Sequence, residues 1–128
     1  MSAKSNYLEN AVLDHVLGTS ALTSPSAYLS LYTSDPSEDD SGTELSGNGY
    51  ARLAVSFGTA SAGSATGPTT AKEFTASGAS WGTVTHFGVH DALTAGNLLY
   101  YGALTASKTI ADGDTLRFAA NSITVTEA

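Results

Sequence analysis

At 128 residues the chain is long enough to bury one hydrophobic core but too short for two domains of ordinary size. Charged residues make up only 13%, against a usual share of about 25%, so small polar side chains must build much of the surface. The net charge of −7 argues against a nucleic-acid partner, because such binders concentrate Lys and Arg to displace counterions from phosphates; the absence of cysteine removes disulfides and thiolate metal sites.

The opening Met1-Ser2-Ala3-Lys4-Ser5-Asn6 has no apolar signal core, and no apolar run approaches the roughly 20 residues that cross a bilayer. Neither export by a signal peptide nor a membrane partner is expected. Residues 6–17 carry the one predicted helix: Asn6 can cap it, Glu9 follows three residues later, Leu8, Ala11, Val12 and Val16 recur on one face, and Gly18 stops it. Leu13 and Leu17 widen the apolar arc. The helix is therefore expected either to pack simply on its own sheet or to touch something on a second side, a neighbour or a groove in a partner.

From Ala27 the period changes to two. Leu29 and Leu31 oppose Tyr28, Ser30 and Tyr32; further on, Ala51, Leu53, Val55 and Phe57 oppose Tyr50, Arg52, Ala54 and Ser56. Further strands are predicted at Thr70 to Phe74, Thr83 to His90, Asn97 to Ala103, Thr115 to Ala119 and Ser122 to Thr126, with turns at Ala95-Gly96-Asn97 and Asp112-Gly113-Asp114. Gly47-Asn48-Gly49 supplies positive-φ positions for a sharp entry into the strand at Tyr50. Seven or eight short strands without alternating helices predict a mainly β, single-domain chain. It has an N-terminal α-helix at about 6–17 and an antiparallel β-sandwich, of jelly-roll or immunoglobulin-like type, at about 27–126. Two segments, Ser34 to Asn48 and Thr59 to Thr69, read as excursions that should be mobile in isolation.

No residue set points to catalysis, a metal or a cofactor. His86 and His90 lie four apart on a β-branched stretch, and as a strand this separates them by roughly 13 Å, too far to share one ion. His15, beside Leu8 and Val12, reads as a hydrogen-bonded boundary residue, with no Ser or Cys nucleophile motif to pair with it. The run Asp35-Pro36-Ser37-Glu38-Asp39-Asp40 fails the EF-hand spacing and reads as a solvated acidic loop. The carboxylates of that run crowd one loop instead of flanking a cleft as a glycosidase pair would. Tyr28, Tyr32, Tyr50, Trp81, Tyr100 and Tyr101 are suited to core or subunit contacts, or to lining a sugar-binding face.

Several stretches together carry a resemblance: Asn6-Tyr7-Leu8-Glu9-Asn10 with Leu13-Asp14-His15, Tyr28 to Pro36, Gly49-Tyr50-Ala51-Arg52, and Trp81 to Gly88 followed by Gly96 to Gly102. Over nearly its whole length the chain resembles a family of small tailed-bacteriophage proteins, labelled tail-fibre-like or head decoration proteins. The resemblance implies a structural virion protein and no enzyme. Because the sequence shows no repeat and no fibrous shaft, the favoured position is the capsid exterior, as a decoration (cement) protein assembled in the host cytoplasm. It would stabilise the mature shell by binding it and not its precursor. Its expected partners are the major capsid protein and copies of itself, as a dimer or trimer. The expected contact elements are Leu13 and Leu17, the acidic residues Asp35, Glu38, Asp39 and Asp40, and the loop from Thr59 to Thr69. The alternative is a tail-fibre or receptor-binding module in which Tyr28, Tyr32 and Trp81 stack on cell-surface sugars. A carbohydrate-active enzyme is a third reading, disfavoured for want of an acid and base pair.

Overall fold

The computed structural model describes residues 3–126. In chain order it contains β1 (Ala3–Lys4), α1 (Asn6–Val16), β2 (Ala27–Tyr32), β3 (Leu53–Val55), β4 (Ser64–Gly67), β5 (Lys72–Thr75), β6 (Gly82–His90), β7 (Leu98–Ile110), β8 (Thr115–Phe118) and β9 (Ile123–Thr126). The fold is mainly β and sandwich-like, with an N-terminal helix. One layer is an antiparallel five-stranded sheet in the order β1-β7-β6-β2-β3. Against it lie two antiparallel ribbons, β4-β9 and β5-β8, in place of one continuous second sheet.

Register explains the core. Leu29 pairs with Val89 and Leu31 with Phe87, so alternation places all four side chains on one face of the sheet. Leu29, Leu31 and Val84 have no exposed surface, and Phe74, Leu116, Phe118 and Ile123 from the ribbons join the same cluster. Each such side chain contributes about 1.5–3 kcal/mol of burial. A second cluster, Leu8 with Val89 and Leu99, seats α1; Ala27 and Phe57 touch both clusters and make the core continuous.

The cap lies one residue before the expected one. Ser5, not Asn6, is the N-cap: its Oγ accepts from Leu8 N at 3.2 Å and donates to Leu98 O, while its own N–H reaches Leu99 O at 2.9 Å. A buried hydroxyl is tolerated there because each of its polar atoms has a partner. Gly18, at φ +83, ends the helix as expected. Val16, expected on the buried stripe, is 71% exposed; only Leu8 is buried, with Ala11 and Val12 half-buried.

The two segments expected to be mobile are strapped down. In the stretch from Thr59 to Thr69, Ser64–Gly67 is strand β4, paired with β9, and Gly58 N and Thr69 N bond to Thr66 O and Ser56 O. In the acidic stretch, Pro36 is buried, Asn6 N donates to Glu38 O at 2.8 Å, and Leu45 N donates to Leu31 O at 3.0 Å. Gly42 packs so closely on the Asp35-Pro36 backbone that a Cβ there would lie 2.4 Å from Asp35 O.

Candidate interaction surface

The second face of the sheet carries a polar network that no single stretch of sequence announces. Ser30 and Tyr32 alternate with the core leucines, and the register sets Ser30 opposite Gly88 and Tyr28 opposite His90. His90 Nδ1 lies 2.9 Å from Ser30 Oγ, and its Nε2 lies 3.2 Å from the Tyr32 hydroxyl. That hydroxyl donates its one proton to Asp40 Oδ1 at 2.6 Å. It therefore accepts from His90 Nε2–H, which leaves Nδ1 bare to accept from Ser30; one neutral tautomer satisfies every atom.

His90 also sits 3.7 Å from Asp40 Oδ2. At neutral pH the imidazole is disfavoured as a cation, because burial, reinforced by the Arg52 guanidinium, lowers its pKa against the opposing pull of Glu44 and Asp40. Burial, with Asp40 adding to it, pushes the Tyr32 hydroxyl well above the usual phenol range.

A second arm starts at the Gly47-Asn48-Gly49 turn, whose three residues all have positive φ. It aims Tyr50 inward, where its hydroxyl donates to Glu44 Oε2 at 2.6 Å and accepts from Leu31 N at 3.1 Å. Arg52 clamps Glu44 in a bidentate pair, both bonds 2.8 Å, and its Nη1 donates to Ala92 O and Ala95 O at 2.9 and 2.7 Å. Burial pushes the Glu44 carboxyl up, but the Arg52 guanidinium and the Tyr50 hydroxyl outweigh it and hold it below 4.5. The network thus ties the acidic loop, residues 50–52 and the turn at residues 91–97 to strands β2 and β6.

Ser30, His90 and Asp40 bring together the residue types of an acyl-transfer triad, which the sequence did not suggest. Ser30 is 0% and His90 1% exposed. A Cβ at Gly88 would fall 2.7 Å from Ser30 Oγ, so backbone fills the space an acyl group would need. The trio is a satisfied internal network.

The residues expected to make contacts divide sharply. Leu13 and Leu17 are 56% and 72% exposed and, with Val16, form one apolar face of α1. Asp35, Glu38 and Asp39 are exposed; Asp35 Oδ1 accepts from Ser37 N at 2.9 Å and Asp39 Oδ1 from Ser41 N at 3.2 Å, so the loop holds its shape through its own carboxylates. Asp40 is committed to Tyr32. Tyr28 is half-buried. Tyr32 is 1% exposed, and Trp81, at 7%, packs edge-on to Tyr50 and donates Nε1–H to Asn48 O at 2.9 Å. The sugar-stacking role expected of Tyr32 and Trp81 has no open ring to carry it, because the fold uses both rings internally. His15 accepts from Leu22 N at 3.0 Å and secures the turn after α1.

What the molecule presents is a helix face and an acidic rim on a rigid β scaffold, the equipment of a structural or interaction protein. Over residues 3–126 the chain matches the family described as podophage GP4 fiber I protein gp80, and it belongs to that family. It is a structural protein of the phage virion. Searched against curated proteins, the chain has no match.

Proposed function

We propose that the chain is a small subunit of the fibre apparatus of a podophage particle, docked on a neighbouring virion protein through the exposed face of α1. The observation that carries this reading is the cluster of Leu13, Val16 and the C-cap residue Leu17, 56–72% exposed at the C-terminal end of α1. Single exposed apolar residues are ordinary, but a contiguous group on a rigid element marks a contact surface. The fibre description of the family supports the position. The buried Tyr32 and Trp81 speak for an attachment or packing role over glycan reading.

Capsid decoration is the second reading. It is favoured by the absence of any repeat or shaft in the sequence and by the strapped acidic loop, which presents Asp35, Glu38 and Asp39 in a fixed shape. There the protein would bridge major capsid subunits and stabilise the mature head by binding it alone, many weak contacts adding over many copies.

Quantitative mass spectrometry of purified particles separates the two. A copy number on the scale of the major capsid protein selects decoration; one on the scale of tail components selects the fibre apparatus. Leu13→Asp with Leu17→Asp should fold normally yet drop out of particles in either position. Full incorporation of that variant refutes docking through α1. Light scattering of the pure protein reports whether it also assembles with copies of itself.

A further inference from the structure

Strand β7 departs from its partner midway. Val84 pairs with Lys108 and His86 with Ala103, so one β6 residue, Thr85, faces four on β7, Leu104 to Ser107. An insertion of this kind leaves the backbone donors and acceptors of the bulged stretch outside the ladder. On its other side, among the described residues, β7 is paired at Tyr100 and Tyr101 by β1. Among the described residues the ladders pair β8 with β5 and β9 with β4, and neither ribbon joins the edge of β7.

The bulged part of β7 and residues of β8 and β9 border one groove of about 410 Å³, within the about 300–1,000 Å³ of ligand sites. Its apolar lining includes Phe87, Phe118 and Ile123, members of the main core that are 5–8% exposed. Its charge is the reverse of the protein's. The chain has 5 Lys and Arg against 12 Asp and Glu, and Arg52 is held by Glu44. Two of the five, Lys108 and Arg117, line this groove, and no Asp or Glu among the described residues does. The nearest acidic register neighbour is Glu73 on β5, opposite Arg117.

We propose that this groove receives an extended, acidic segment of a neighbouring virion chain. The segment adds as a β-strand along the bulged edge of β7, buries an apolar side chain over Phe87 and Phe118, and pairs its carboxylates with Lys108 and Arg117. Unpaired strand edges supply the main-chain bonds of such an addition, and pockets for alternate side chains supply its selectivity. An apolar floor with a basic rim on an otherwise acidic surface selects the sign of the guest. That the neighbour is a virion chain rests on the assignment above; the groove's preference for an acidic strand does not.

The test titrates the isotopically labelled protein with two synthetic hexapeptides, Val-Thr-Val-Asp-Val-Glu and Val-Thr-Val-Lys-Val-Lys, followed by amide NMR. The acidic peptide should shift amides of residues 103–108 and 116–119 and bind about tenfold more tightly than the lysine peptide, the sum expected from reversing two rim contacts. The variant carrying Lys108→Glu and Arg117→Glu, both exposed positions, should keep the wild-type spectrum elsewhere and reverse the preference. Absence of binding by both peptides, shifts outside the groove, or equal binding of the two overturns the proposal. So does movement of the same amides on concentrating the protein alone, which identifies a second copy as the occupant. None of these failures touches the copy-number or α1 tests of the virion assignment.

Discussion

Arg52→Met keeps much of the length and apolar stem of the side chain but removes four hydrogen bonds, two to Glu44 and one each to Ala92 O and Ala95 O. Glu44, whose side chain is 23% exposed, is left with its charge and the Tyr50 hydroxyl alone. Breaking a buried pair from one side costs about 3–5 kcal/mol, and because water reaches part of Glu44 the lower end applies, about 3 kcal/mol. That is on the order of a 100-fold loss in the folding constant. Denaturant unfolding of wild type, Arg52→Met, Glu44→Gln and the double variant measures it, with the double variant less destabilised than the sum of the singles by about 1 kcal/mol or more. Amides at residues 92–97 should exchange faster in Arg52→Met, since the turn loses its tether. A loss under about 1 kcal/mol, the level of an exposed ion pair, refutes the clamp.

Acid should weaken the fold through His90. Its folded pKa lies below 6.5, so the unfolded chain takes up the proton first: stability is intact above about 6.5 and declines as pH falls from there towards the folded value. Denaturation midpoints across about pH 5 to 8 should show this slope, and His90→Gln should flatten it. Gly88→Ala places a Cβ 2.7 Å from Ser30 Oγ and 2.9 Å from Leu98 Cδ1, and should cost about 1–3 kcal/mol by the same unfolding assay, partly recovered by adding Ser30→Ala. Trp81→Ala should cost about 3–5 kcal/mol, so that any loss of function tracks a lowered melting temperature and not lost glycan affinity.

Legibility followed the range of the forces. Period-two alternation marked β2, β-branched residues marked β6, and the Gly18 stop marked the end of α1, because those signals lie within one element. Strand β4 was invisible: Ser64-Ala65-Thr66-Gly67 has no apolar period, and it is a strand because β9 pairs with it. The helix was legible as a helix, but its apolar arc was wider than the contact it makes, which left Val16 exposed beside Leu13 and Leu17.

The site divides in the same way. Leu13, Leu17 and the acidic run were visible as sequence features, and Trp81 and Tyr32 as aromatic residues, but exposure depends on what else reaches the spot. Ser30, Asp40, Tyr50 and Arg52 meet their partners only because strand register and the 47–49 turn bring separate segments together, as with the 60 residues separating Ser30 from His90. Composition and local period specify a β-rich, acidic, cysteine-free chain with one amphipathic helix, because both act within short stretches. Which polar groups are satisfied inside and which apolar ones face outward follows from the folded arrangement, because both depend on contacts between residues far apart in the chain.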